Sequence, residues 1–176
     1  MKKIMFVCSG NTCRSAMAEQ LFLKKIKERN LQEKFSVSST GIIGFSNAAS
    51  PDEVKKVMMD EYGIDITAHR ARRVNREDVD EMDLILTMTK GQVIGLLGVN
   101  PDSKGKTYPL KEYVGLTGNI DDPFGESLEV YSACAKELNH CIDLLLDKEV
   151  KEWLRLELIM EDTYWKTKLS KSLKEK

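Results

Sequence analysis

Four apolar residues, Ile4–Val7 (I-M-F-V), run directly into a loop of small and polar residues, Cys8–Arg14 (C-S-G-N-T-C-R), and the chain then turns amphipathic with helical period. A short continuous apolar run bounded by turn residues reads as a strand buried on both faces. After the loop, Ser15 stands near the predicted N-cap, and Met17, Leu21, Phe22 and Ile26 fall on one helical face. Buried strand, tight loop and helix, in that order, form the opening unit of a parallel α/β sheet. In such a sheet ligands bind at the carboxyl ends of the strands, which is where this loop lies.

The pattern recurs along the chain. Residues 35–39 alternate and predict a second strand. Residues 51–62 predict a helix with Val54, Val57, Met58 and Tyr62 inward and Gly63 as its stop. A short helix is expected within 71–83, a third buried strand over 84–88 (L-I-L-T-M), a weaker helix over 90–97 and a fourth, edge strand over 107–110. Residues 115–126 form a loop rich in Gly, Asp and Pro. A long helix over 128–146 carries Val130, Cys134, Leu138, Cys141, Leu144 and Leu145 on its apolar stripe.

The expected fold class is α/β, a single domain with a parallel sheet flanked by helices. The 176 residues suffice for one domain with a sizeable core. Residues 1–148 are expected to form that domain and 149–176 a C-terminal helical extension. Trp153, Leu154, Leu156, Leu158 and Ile159 are apolar enough to dock it on the domain. Its end is Lys-rich: Lys166, Lys168, Lys171, Lys174 and Lys176 against the acid Glu175.

The net charge of −1 gives no global attraction for nucleic acid, so anion binding must come from a local site. Five apolar residues after Met1-Lys2-Lys3 are too few for a secretory signal, and no stretch approaches the roughly 18 apolar residues of a membrane span. A cytoplasmic protein with reduced thiols is expected. Cys8, Cys13, Cys134 and Cys141, with His69 and His140, lack zinc-ligand spacing, so neither a metal nor a cofactor is expected. Nothing in the sequence indicates an oligomer, and a monomer is the expected state.

The chemistry concentrates in the first loop. Backbone N–H groups of Ser9, Gly10, Asn11, Thr12 and Cys13 can converge into an anion nest, and the following helix N-terminus adds partial positive charge. Arg14 supplies a planar, permanently charged fork for two phosphate oxygens. These fields favour the thiolate form of Cys8, and a thiolate against a bound phosphate is poised to attack phosphorus. Cys8 alone would read as a small buried hydrophobe ending a strand. Cys8 and Arg14 flanking Gly10, with Ser15 next, reverse that reading. A nucleotide-binding P-loop is excluded, because the loop has no G-K-[ST]. The leaving group needs a proton, and Asp121-Asp122-Pro123-Phe124-Gly125 offers an acid, Asp122, on a loop, with Phe124 as a wall beside it. By itself that segment is an ordinary Asp-Pro turn.

These segments together resemble the low-molecular-weight protein tyrosine phosphatases over roughly residues 1–147. The resemblance rests on C-S-G-N-T-C-R-S at 8–15, the following M-A-E, S-S-T-G at 38–41, A-H-R-A-R-R at 68–73 and D-P-F-G at 122–125. It implies a four-stranded parallel sheet, a phosphocysteine intermediate on Cys8, and phosphorylated proteins as partners. Arg14 then binds the equatorial oxygens, while Asp122 protonates the leaving group and later activates water. Ser15 hydrogen-bonds the thiolate, and Asn11 holds a left-handed backbone conformation supported by Ser39 and His69. Asn tolerates that conformation better than most residues. His69 read alone is a satisfied surface histidine. Cys13 is either a buried structural thiol or a partner for Cys8 in a reversible, protective disulfide.

The resemblance also divides by substrate. The tyrosine phosphatases have a branched aliphatic at the position of Thr12, whereas the bacterial protein arginine phosphatases have C-T-G-N-T-C-R-S. Thr12, D-P-F-G in place of D-P-Y-Y, and Lys111-Glu-Tyr-Val114 match the arginine enzymes; Ser9 departs from their threonine. A threonine hydroxyl can order water or hydrogen-bond near a P–N bond, where a branched aliphatic would crowd a planar guanidinium. Phosphoarginine is therefore the expected substrate and phosphotyrosine the alternative, with Thr12 as mere filler in the latter case. Arsenate reduction needs resolving thiols around residues 75–95, where there is none. A phospho-binding module without turnover would not need Cys8, Arg14 and the acid together.

Overall fold

The structure, a computed structural model, describes the backbone of residues 1–174 and the side chains of 1–160, 163 and 164. Its central strand is β1 (Lys2–Cys8), in which Ile4, Met5, Phe6 and Val7 are all fully buried. Burial on both faces requires helices above and below, and these follow. The chain continues through α1 (Arg14–Glu28), β2 (Phe35–Gly41), α2 (Asp52–Tyr62), α3 (Arg76–Glu81), β3 (Leu84–Thr87) and α4 (Lys90–Val99). A 3₁₀ turn (Pro101–Ser103), β4 (Thr107–Pro109), α5 (Leu110–Tyr113) and α6 (Leu128–Lys174) complete it. The sheet is four-stranded and parallel throughout, in the order β2-β1-β3-β4. β4 is the predicted edge strand. The strand order reverses between β1 and β3, so the crevice for a ligand opens beside the C-terminus of β1.

The two faces of β1 feed two cores. Ile4, Phe6 and Cys8 pack with Met17, Leu21 and Phe22 of α1, Val57 and Met58 of α2, and Leu138 and Leu145 of α6. Met5 and Val7 pack on the other side with Val79 of α3 and Leu96 of α4. Gly63 ends α2 in the left-handed conformation, at φ 64°, as its sequence position predicts.

Three local readings are corrected. Ser15 is not an N-cap: α1 begins at Arg14 behind Cys13, with no side-chain cap bond. The first-turn N–H groups are left for the loop's interior, and the Ser15 hydroxyl turns to Cys8 and the Thr40 carbonyl. Val130 is exposed, because the buried stripe of α6 starts at Tyr131 and then runs through Cys134, Leu138, Cys141 and Leu145 as expected, widened by Ala135 and Ile142. The extension docks only at its start. α6 runs through residue 148 unbroken, and only Trp153 of the five apolar residues is half-buried, beneath Lys34 Nζ at 3.9 Å from its ring centroid. Leu154, Leu156, Leu158 and Ile159 stay exposed. A helix of 47 residues is about 70 Å long, roughly twice the breadth of a domain of this size, so it outruns the surface on which residues 154–159 would pack. The side chains of Lys166, Lys168, Lys171, Lys174 and Lys176 lie outside the described residues, as does Glu175.

Glu149 anchors the start of the extension. It is 2% exposed and accepts from Lys2 Nζ at 2.5 Å and from the Tyr113 hydroxyl at 2.6 Å. Truncation after residue 155 should leave the melting temperature nearly unchanged. Truncation after residue 148 should remove Glu149, Val150 and Trp153 and cost about 2–4 kcal/mol, read as a drop of roughly 5–15 °C by calorimetry.

Candidate active site

The loop after β1 turns on Asn11, which adopts φ 61° although it is not glycine. That reversal sends the loop's carbonyls outward. Cys8 O accepts from Ile42 N at 3.0 Å, Ser9 O from Ile43 N and Gly44 N at 3.0 and 3.2 Å, and Gly10 O from Phe45 N at 3.3 Å. Asn11 O accepts from His69 Nε2 at 2.7 Å, which places a proton on that ring nitrogen, since a carbonyl only accepts. The N–H groups face the other way. Asn11 N donates to Cys8 Sγ at 3.1 Å, and among the described residues the N–H groups of Ser9, Gly10, Thr12 and Cys13 have no protein acceptor. One donor on the sulfur and four more in the same loop without a protein acceptor are what an anion nest requires.

Behind the loop lies a polar network. Asn11 Nδ2 donates to Ser15 Oγ and Ser39 Oγ, both at 2.9 Å, and Asn11 Oδ1 accepts from Arg72 N at 3.0 Å. Ser15 Oγ stands 3.0 Å from Cys8 Sγ. Ser39, Asn11 and His69 thus converge as the resemblance implied. Gly41 makes this approach possible: a Cβ there would sit 2.7 Å from Ser9 O and 2.8 Å from Gly10 C, so only glycine lets β2 lie against the loop.

The sequence reading missed Glu19, whose Oε2 accepts from Ser39 Oγ at 2.5 Å. Burial pushes its carboxyl up from the usual range, while Ser39, His69 and Arg72 pull it back. The available signal was its place one helical turn after Ser15, on the same side of α1.

Arg14 is 4% exposed, donates from Nη1 to Ile120 O at 3.2 Å, and pairs through Nη2 with Asp122 Oδ2. The acid loop is positioned by Ile120, buried, whose N–H donates to Met88 O at 2.8 Å. Cys8, Ser9, Gly10, Thr12, Cys13, Arg14, Phe45, Asp122 and Phe124 line one cavity of about 190 Å³. The structure therefore gathers the loop residues other than Asn11, together with Arg14 and Asp122, around one cavity, with Asn11 and Ser15 buried behind it. Phe45 is the second residue missed; its ring lies over Gly10, where a Cβ would come within 2.9 Å of it. Phe45 and Phe124 are exposed and form two aromatic walls at the mouth. The cavity of about 390 Å³ between α2 and α6 is larger but has neither a thiol nor an arginine in its lining. Among the described residues no cluster of His, Cys, Asp and Glu is fit to hold a metal ion, and no helix is long and apolar enough to cross a membrane.

The fold and this site together define a cysteine-dependent phosphatase. The sequence model described as low molecular weight phosphotyrosine protein phosphatase matches residues 3–156. The chain belongs to that family, whose members work through a phosphocysteine intermediate. It is 37% identical to the protein-arginine-phosphatase of Geobacillus stearothermophilus over 147 residues, 83% of this chain and 95% of that one. Among solved structures, a low molecular weight protein tyrosine phosphatase from T. tengcongensis superposes with a TM-score of 0.81 at 38% identity, covering 84% of this chain and 99% of that one. The YwlE arginine phosphatase from Geobacillus stearothermophilus gives 0.79 at 36% identity, covering 88% and 97%.

Burial pushes the Cys13 and Cys141 thiols up to about 11 and the Cys134 thiol up to about 12, so all three stay protonated at neutral pH. Iodoacetate at neutral pH should therefore carboxymethylate Cys8 at least about tenfold faster than the other three thiols. Excess inorganic phosphate should slow that reaction, as read by peptide mass spectrometry. Equal labelling of Cys8 and Cys13 would contradict the site's electrostatics.

Proposed function

We propose that the protein dephosphorylates phosphoarginine in proteins, with Cys8 as nucleophile, Arg14 as phosphate clamp and Asp122 as general acid and base. The N–H groups of Ser9 to Cys13 and the Arg14 fork hold the phosphoryl oxygens. Cys8 Sγ attacks phosphorus in line as the P–N bond breaks, and Asp122 delivers a proton to the departing guanidine nitrogen. A water then attacks the phosphocysteine, passes a proton to Asp122, and releases inorganic phosphate and the Cys8 thiolate. Ser15 hydrogen-bonds that thiolate, and Ser39 and His69 keep the loop in shape through Asn11.

The observation that carries the substrate assignment is Thr12, 8% exposed in the cavity lining, with its hydroxyl 3.5 Å from Cys13 Sγ. Ser9 adds a second hydroxyl to the same lining, and Asp122 a carboxylate. A guanidinium finds partners among these groups, and Phe45 and Phe124 offer faces for its plane to stack on. The Geobacillus relative bears the name of an arginine phosphatase, in keeping with this reading. The two phenylalanines also suit a phosphotyrosine ring, and the T. tengcongensis neighbour is named as a tyrosine phosphatase. Four free thiols suit the reducing cytoplasm, where a monomer acting on phosphorylated proteins needs no membrane segment.

Phosphoarginine and phosphotyrosine peptides should be compared side by side, with Cys8→Ser as the inactive control. The expected kcat/KM favours phosphoarginine by about tenfold or more, the worth of a hydrogen bond or two to a buried polar site. Thr12→Ile should move the ratio toward phosphotyrosine. A wild-type preference for phosphotyrosine would reduce Thr12 to a filler and leave the catalytic roles standing.

A further inference from the structure

Three successive backbone N–H groups, those of Met88, Thr89 and Lys90, lie where β3 ends and α4 begins. Two amide side chains accept from all three, Met88 N being shared with the Val7 carbonyl at 3.1 Å. Gln92 Oε1 accepts from Met88 N at 2.9 Å and Thr89 N at 3.1 Å, and Asn119 Oδ1 accepts from Lys90 N at 3.0 Å. Asn119 belongs to the loop that carries Asp122, and its neighbour Ile120 donates to Met88 O at 2.8 Å. Gln92 reaches the opposite way: its Nε2 donates to Ser9 Oγ at 3.1 Å, in the Cys8 loop. The orientation of this amide follows from its partners. Its oxygen must face the two N–H donors, so its NH₂ must face Ser9. Gln92 is 7% exposed, and water competes little for these bonds.

We propose that the first turn of α4 is a clip that sets the spacing between the nucleophile loop and the acid loop, with Gln92 as its positioning residue. Neither Gln92 nor Asn119 lines the cavity, so the clip acts through Ser9 on one side and Ile120 on the other. A proton donor must lie within hydrogen-bond reach of the leaving atom, and a misplacement of about 1 Å can cost about 100-fold. The bonds from Ile120 to Met88 and from Arg14 to Ile120 survive the loss of Gln92, so a smaller effect of about tenfold is expected. The loss should depend on how much the leaving group needs a proton. The inference rests on the reading of Asp122 as the acid.

The test measures kcat/KM on phenyl phosphate, a poor leaving group, and dinitrophenyl phosphate, a good one. Gln92→Leu, Ser9→Ala, their double variant and Asp122→Asn are compared with the unaltered protein. Gln92→Leu should lose about tenfold on phenyl phosphate and less than about twofold on dinitrophenyl phosphate, with inhibition by inorganic phosphate nearly unchanged. Ser9→Ala should show the same asymmetry to a smaller extent, and the double variant should be no worse than Gln92→Leu, because both remove the Gln92–Ser9 bond and only Gln92→Leu also removes the bonds from Met88 N and Thr89 N. Equal losses on both substrates, no loss, or additive losses would overturn the clip. If Gln92→Leu does not fold, Ser9→Ala leaves α4 intact and carries the same comparison. Asp122→Asn separates the two readings: if it treats both substrates alike, the acid assignment fails. Asymmetry in Asp122→Asn without asymmetry in Gln92→Leu and Ser9→Ala sinks the clip alone.

Discussion

One left-handed residue holds the site together. Asn11, at φ 61°, reverses the chain between Cys8 and Arg14, and each of its hydrogen-bonding groups has a partner. Its N–H points at the Cys8 sulfur, its carbonyl at His69, and its amide at Ser15, Ser39 and the backbone of Arg72. A non-glycine residue in this region is strained by about 1 kcal/mol or more and persists where its surroundings over-determine it. Here five bonds from four segments do so. Glycine would adopt the angle freely but would lose the amide that ties the loop to β2 and to the 69–72 segment.

From that reversal follows the electrostatics. With its carbonyls committed to residues 42–45 and to His69, the loop shows only donors to its interior. The 69–73 segment serves the same end from outside, because Gly41 N and O bond Arg72 O and Val74 N and so carry it along the edge of β2. Glu19 completes the arrangement as a half-buried acceptor for Ser39, which directs the Ser39 oxygen's lone pairs toward Asn11. Serine thus accepts from the amide and donates to the acid, a polarity set by a carboxylate two side chains away from the sulfur.

The order of elements, both faces of β1, the edge position of β4 and the loop chemistry were all legible, because each lies in a local pattern: an apolar run, a period, a turn residue. What escaped depended on partners distant in sequence. Gln92 and Phe45 look like ordinary polar and apolar residues until the fold places them against Ser9 and Gly10. Glu19 reads as helix surface until β2 covers it. Ser15 has a capping residue's composition, yet the pull of the thiol and of Asn11 outweighs the cap. The extension misled for a different reason: Leu154, Leu156, Leu158 and Ile159 are apolar, but helix length alone carries them past the surface on which they would pack.

The pairing of Arg14 with Asp122 joins the two loops and bears directly on the reaction. Arg14 is almost wholly buried, whereas the Asp122 side chain is 48% exposed. Breaking a surface ion pair costs about 1 kcal/mol at most, but stranding a buried guanidinium costs several. If Cys8, Arg14 and Asp122 act as proposed, a phosphoryl group entering the nest presents two oxygens to the same fork, so Arg14 changes partners without losing compensation. The partner displaced is the exposed one, which water solvates readily. In that mechanism the bonds from Ile120 to Met88 and from Arg14 to Ile120 need not break, so the loop keeps its anchor while the carboxylate two residues on is free to turn toward the leaving group. On the proposed reading, the binding of phosphate thereby frees the acid that the next step requires.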